Sequence, residues 1–218
     1  MTDQPPRRRL LPAPQRAASI LRAAARVFAR NGYAATTIEQ VAAEAGVSKL
    51  IVYRHFNSKR ELYRAILDQV RDRLAAVGQP TRPVHESDGD PAIQAAAAAL
   101  AGTFAVAREL PDGYRLLYRH AVREPEFSDY VRELGDAERE RIETLLANVA
   151  DPLIRAWMAG LVANATTEAF LVWLDIGHLE RDDEMVERVA YLLAGMVGSL
   201  WDRAIARGEP VGPADASP

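Results

Sequence analysis

Residues Thr36 to Leu62, TTIEQVAAEAGVSKLIVYRHFNSKREL, constrain the fold of this 218-residue chain more than any other stretch. Thr37 offers a side-chain oxygen at a helix N-cap, and Val41, Ala42 and Ala45 then recur at the spacing that puts apolar groups on one helical face. Gly46 comes just past the end of that short helix, where a left-handed backbone is inexpensive for glycine, and Val47 can tuck under the turn. Ser48 caps a second helix. Within it Val52 and Phe56 are four apart and face the first helix, while Lys49, Leu50, Tyr53 and Arg54 fall on the other side. Ser58 and Glu61 spell a reciprocal S-x-x-E capping box, so a third helix starts there with Lys59 near its first amides.

Two short helices about a glycine turn, the second basic and aromatic outside, make a shape that can enter a DNA groove. Lysine and arginine neutralise phosphate or reach guanine edges, a tyrosine hydroxyl donates to a phosphate oxygen, and Leu50 or Ile51 can touch a thymine methyl. The candidate DNA contacts are therefore Thr37, Ser48, Lys49, Leu50, Ile51, Tyr53, Arg54, His55 and Lys59. The same helical shape also packs inside purely structural bundles, but the charge distribution argues against that reading. Residues 1–77 hold 14 Lys+Arg and 6 Asp+Glu, a balance of +8, whereas residues 78–218 hold 13 and 24, a balance of −11. An acidic chain whose first third is a cation is suited to a polyanion, since phosphate neutralisation supplies most non-specific DNA affinity. Lys49 and Lys59, the only lysines among 27 basic residues, both sit in this segment.

The order T-T-I-x-x-V-A-x-x-A-G-V-S-K-x-x-x-Y-R-H-F-x-S-K-x-E-L resembles the helix-turn-helix of the TetR family of transcriptional regulators. Upstream, Ile20, Ala24, Val27 and Phe28 form an apolar stripe, and Phe28 to Tyr33 resembles the family's F-x-x-x-G-[YF] end of its first helix. The match covers residues 16–64. At Leu50 and Ile51 the chain departs from the small or hydroxyl residues common in the family, which leaves backbone contacts intact and the bases read open. The resemblance implies an all-α protein with three N-terminal and six C-terminal helices. It also implies a sequence-specific regulator, a ligand-responsive repressor on a palindromic DNA operator, with a small-molecule effector and no cofactor.

The remaining helices follow from periodicity. One from Ser58 runs through Leu62, Ile66, Val70 and Leu74 toward Val77 and bridges to whatever follows; residues 78–91, rich in proline, glycine and acid, read as a mobile loop. Helices are then expected over Ile93–Arg108, Tyr114–Arg123, Phe127–Val149, Leu153–Ile176 and Glu184–Arg207. The domain limits expected are a basic tail over 1–15, a DNA-binding domain over 16–62, a ligand-binding and dimerisation domain over 63–208, and a flexible tail over 209–218. Arg7 to Arg9 read equally as a DNA-tracking arm or a disordered tail.

The last two helices are too apolar for a monomer's surface. From Leu153 to Leu174 nearly every face is apolar, and the final helix sets Val189, Leu193, Met196 and Leu200 beside small residues. Each needs two partners, which predicts a homodimer through 153–176 and 184–207. Two recognition helices about 34–36 Å apart then read a palindrome. Asn164 and Glu168 interrupt the apolar helix four residues apart, and buried polar groups must find partners. Either Arg119 or His120 satisfies them, or they line a cavity with Phe104, Tyr114, Tyr118, Trp157, Leu161 and Phe170 suited to a small apolar ligand bearing a donor or positive charge.

Other classes are weaker. Cysteine is absent, which excludes disulfides and thiolate metal sites, and the four histidines lack partners at metal-ligand spacing. No nucleophile–base pair or phosphate loop appears, so an enzyme is not expected. No signal core or membrane-spanning run is found, so the expectation is a cytoplasmic protein. A non-specific architectural DNA protein would account for the basic head but not for the acidic helical body.

Overall fold

The structure, a computed structural model, describes residues 12–77, 91–147, 149 and 151–206. Among these residues nine α-helices form and no sheet: α1 (Ala13–Ala35), α2 (Ile38–Ala45), α3 (Lys49–His55), α4 (Lys59–Val77), α5 (Pro91–Glu109), α6 (Pro111–Arg115), α7 (Ser128–Leu145), α8 (Pro152–Ile176) and α9 (Asp182–Ala206). The all-α expectation holds. The expected tails beyond residues 12 and 206, and the loop over 78–90, lie outside the described residues; Pro91 opens α5.

The chain divides into two compact units, Met1–Gln69 and Val70–Pro218. The division falls beyond Leu62 because Leu62, Tyr63, Ile66 and Leu67, all buried on α4, complete the first core. In that core Ile20, Ala24, Val27 and Phe28 of α1 recur at helical spacing and are buried, as the sequence predicts. The Phe28 ring meets the Tyr63 ring edge-on at 4.9 Å, and Tyr33 lies 5.0 Å from Tyr63. Gly32 leaves the helical conformation near the end of α1 at φ 78°, and the buried Thr36 hydroxyl donates to its carbonyl at 2.7 Å.

The second unit packs α5 against α9 and α7 against α8. Its ties are ionic as well as apolar. Asp182, at the start of α9, accepts from Arg108 Nε at 2.8 Å, from Arg108 Nη2 at 2.5 Å and from Trp173 Nε1 at 2.8 Å, so one carboxylate joins α5, α8 and α9. Asp175 near the end of α8 accepts from Arg115 and Arg119. The predicted Tyr114–Arg123 helix is instead α6, a π-helical turn over Leu116–His120, and a 3-10 turn over Ala121–Arg123. A wide turn of this kind is a local insertion that hydrophobic periodicity does not reveal.

Candidate nucleic-acid interface and ligand cavity

The reading head forms because each helix end is closed by its own side chains. Thr37 Oγ1 accepts from the Gln40 amide at 3.3 Å, and Gln40 Oε1 accepts from the Thr37 amide at 2.9 Å, which closes a capping box on α2. Gly46 sits at φ 64° and its amide reaches the carbonyls of Ala42 and Ala43, so α2 stops there. Ser48 Oγ accepts from the Ile51 amide at 3.4 Å and starts α3. Val41, Ala42, Val52 and Phe56 are buried and hold α2 and α3 together. Arg26 and Arg30 of α1 each donate to Glu44 of α2 at 2.8 Å, which fastens the first helix to the head.

The residues left outside are those expected to meet DNA. Leu50 is 70% exposed, and Lys49, Tyr53, Arg54, Thr37 and Ser48 are exposed with it; Ile51 and His55 are half-buried. Two lysines are less free than sequence alone suggests. The Lys49 ammonium pairs with Glu39 of α2 and lies 5.7 Å from the Tyr53 ring centre. The pairing lowers the Glu39 carboxyl, chiefly through the Lys49 hydrogen bond, and raises Lys49 in return.

Lys59 donates to the carbonyls of Tyr33 and Ala34 at 2.8 and 3.2 Å and stands 4.6 Å from the Tyr33 ring centre, so it caps the end of α1. Beside its expected DNA contact, Lys59 therefore also ties α1 to α4. The expected Ser58–Glu61 box is half made: Ser58 Oγ accepts from the Glu61 amide, but the Glu61 carboxylate turns to Asn57. Glu39 escapes sequence reasoning because it is ten residues from Lys49, and only the turn at Gly46 brings the helix N-termini together.

The second unit holds a partly open cavity of about 1040 Å³, at the top of the range for small-molecule sites. Its wall draws on α4 through Arg71 and Leu74, α5 through Leu100 and Thr103, α7 through Glu138, Arg141, Ile142 and Leu145, and α9 through Leu193 and Val197. Tyr114 and Tyr118 line it, with rings 4.7 Å apart, and burial pushes both phenols up and keeps them neutral donors. Arg141 donates to Glu138 at 2.7 Å. Burial, more than nearby arginines, lowers His120.

The expected pocket needs correction at six of its eight residues. Trp157 (54% exposed), Leu161, Asn164 and Glu168 (64% exposed) point outward, and Glu168 pairs with Arg119 at 3.5 Å. Phe104 and Phe170 are buried against each other, 5.0 Å between ring centres, inside the packing rather than on the cavity wall. The α8 face that lines the cavity is Val162, Ala163, Thr166 and Thr167. Because α8 is apolar nearly all round, its sequence does not say which face turns inward. Among the described residues no cluster of metal-binding side chains occurs and no helix is long and apolar enough to cross a membrane.

Comparison with known proteins agrees with this geometry. The family model for bacterial regulatory proteins of the tetR family matches residues 20–66. The chain is 32% identical over 155 residues to the HTH-type transcriptional activator FasR of Mycolicibacterium smegmatis, covering 70% of this chain and 68% of that protein. It is 26% identical over 122 residues to the HTH-type transcriptional repressor ComR of Escherichia coli, covering 56% and 58%. The fold is similar to that of a tetR-family transcriptional regulator from Streptomyces coelicolor, with TM-score 0.63 at 21% identity over 90% of this chain and 87% of that one. A capped helix-turn-helix with an exposed basic face, a matching family model and a relative aligned over most of both chains lead to one conclusion: this protein belongs to the TetR family of DNA-binding transcriptional regulators.

Proposed function

We propose that the protein is a ligand-responsive repressor that binds a palindromic operator as a homodimer in the cytoplasm and is released by a small apolar effector held in the second unit. The cavity of about 1040 Å³ carries this reading. It is too large to be a packing defect, and its wall pairs aliphatic side chains with a few convergent polar groups. Three of its residues, Arg71, Leu74 and Ala75, lie on α4, the same continuous helix that begins at Lys59 beside the reading head. An effector that binds better to one setting of α4 shifts the population of DNA-competent molecules. A coupling of about 1–3 kcal/mol changes operator affinity roughly 5–150-fold.

The homodimer is supported by an apolar stripe that a lone chain leaves in water. Leu153, Ile154, Trp157 and Leu161 on α8, with Tyr191 and Leu192 on α9, are exposed. Exposed apolar side chains of this size on two neighbouring helices mark an interface, and a two-fold partner presenting the same helices covers them. The effector chemistry differs from the sequence-based expectation, because Asn164 and Glu168 face away from the cavity and its polar groups include Tyr114, Tyr118, Thr103, Arg71, Glu138 and Arg141.

Operator fluorescence anisotropy, run while titrating a panel of apolar compounds, tests the proposal. A compound that releases DNA from the wild type and not from the double variant Leu100→Trp with Thr103→Trp, which narrows the cavity from α5, supports it. Release of equal midpoint in wild type and in the double variant overturns the cavity as the effector site. FasR is named an activator, so activation is the second reading of the regulatory sign; a reporter gene behind the operator, with and without the protein, separates the two. Chemical turnover of a bound compound would replace the regulator-only reading by an enzymatic one.

A further inference from the structure

We propose that Glu39 and Lys49 act together as a charged dyad that reads one G·C base pair in each half-site, which makes Glu39 a specificity-determining residue. Lys49 is the first residue of α3, and Glu39 is the second residue of α2. They form an ion pair across the two helices, with side chains 49% and 60% exposed, so the dyad stands on the open side of the reading head. The Tyr53 ring centre lies 5.7 Å from the Lys49 ammonium.

A carboxylate on a DNA-reading surface requires an explanation. It opposes every phosphate the surface approaches, and an exposed ion pair adds little to fold stability. Its place in the first turn of α2 satisfies the helix dipole, but Thr37 and Gln40 already cap that turn. What a carboxylate can do in the major groove is accept from an exocyclic amino group, and cytosine N4 is such a donor. The partner guanine presents N7 and O6, both acceptors, which suit an ammonium. The G·C edge therefore offers acceptors beside a donor, and the Lys49–Glu39 dyad offers a donor beside an acceptor. An A·T pair also offers a donor, adenine N6, but it separates its two acceptors, adenine N7 and thymine O4, so the lysine meets one acceptor there instead of the adjoining pair on guanine, and a phosphate offers Glu39 nothing but repulsion. Glu39 thus weakens binding wherever no exocyclic amino group takes up its charge, and the adjoining guanine acceptors under Lys49 favour G·C among the pairs that do.

The test uses the full-length protein and selection of preferred sites from random DNA duplexes. Wild type, Glu39→Gln and Lys49→Gln are selected in parallel. The proposal expects a fixed G·C pair at one position of each wild-type half-site. Both variants should relax that same position, by roughly 5–150-fold in base discrimination, the range for a good base contact. Their affinity for unrelated DNA should move in opposite directions, tighter for Glu39→Gln and weaker for Lys49→Gln. A simple electrostatic role for Glu39 predicts instead that Glu39→Gln tightens binding to all sequences by one factor with its preferred site unchanged, and that result overturns the dyad. So do a wild-type site without a fixed G·C pair, and variants that relax different positions. If Glu39→Gln does not fold, Lys49→Gln together with 7-deazaguanine at the fixed position carries the test. Wild type should lose affinity for the modified duplex while Lys49→Gln does not, and an indifferent wild type refutes the reading.

Discussion

Replacing Asp182 by alanine should loosen the second unit more than any other single surface-charge change. Its carboxylate accepts three hydrogen bonds, two from Arg108 and one from the Trp173 indole, and the side chains of the Arg108–Asp182 pair are only 20% and 21% exposed. Alanine leaves a guanidinium without its anion and an indole N–H without an acceptor. Breaking a fully buried pair costs about 3–5 kcal/mol, and a hydrogen bond to a charged group contributes about 1.5–3 kcal/mol. Partial access of water here places the expected loss at about 2–3 kcal/mol. For a unit of this length each kcal/mol lowers the melting temperature by about 2–4 °C, so calorimetry should record a drop of roughly 4–12 °C.

Asp182→Asn keeps a carbonyl for the indole but not the charge and should fall between. A double-mutant cycle with Arg108→Met should return a coupling of about 1 kcal/mol or more. The pair also fixes a pH signature. Arg108 holds the Asp182 carboxyl below its usual range, so the stabilisation is complete above the unfolded value of about 3.9 and disappears as pH falls through the folded value. The gap between wild type and Asp182→Ala should therefore be flat near neutrality and close below about pH 4. A melting temperature unchanged by Asp182→Ala, or strict additivity with Arg108→Met, would refute this account of how α5, α8 and α9 are joined.

Three further outcomes are expected. Lys59→Met removes two hydrogen bonds to the end of α1 and should destabilise the first unit by about 1–2 kcal/mol in urea unfolding, beyond any loss of DNA affinity in gel shifts. A Cβ at Gly102 would overlap Val77 Cγ1, so Gly102→Ala should cost about 1–3 kcal/mol in thermal melts, and adding Val77→Ala should restore most of it. Trp157→Asp places a charge in the exposed α8 stripe and should convert the proposed homodimer to a monomer by light scattering, with operator affinity falling in parallel.

The reading head was legible in the sequence because its determinants are local. Thr37, Gly46 and Ser48 act on backbone within four residues, and Val52 and Phe56 follow helical spacing, so one dimension suffices to place them. The cavity was not legible for the opposite reason. Only Tyr114 and Tyr118 were placed on its wall from sequence, while Trp157, Leu161, Asn164 and Glu168 lie on the other side of α8. A helix apolar on nearly all faces carries no periodic signal of which one turns inward.

By itself, then, the sequence determined that this chain is all-helical, that it carries a capped helix-turn-helix with a basic outer face, and that its last two helices are apolar on most of their faces. These properties follow from caps, turns and spacing, which act over a few residues. Tertiary structure alone decided that Lys59 closes the end of α1, that Glu39 meets Lys49, that one carboxylate at Asp182 joins three helices, and which face of α8 lines the cavity. Each of these joins residues from different helices, and such pairings exist only once the packing has chosen which surfaces meet.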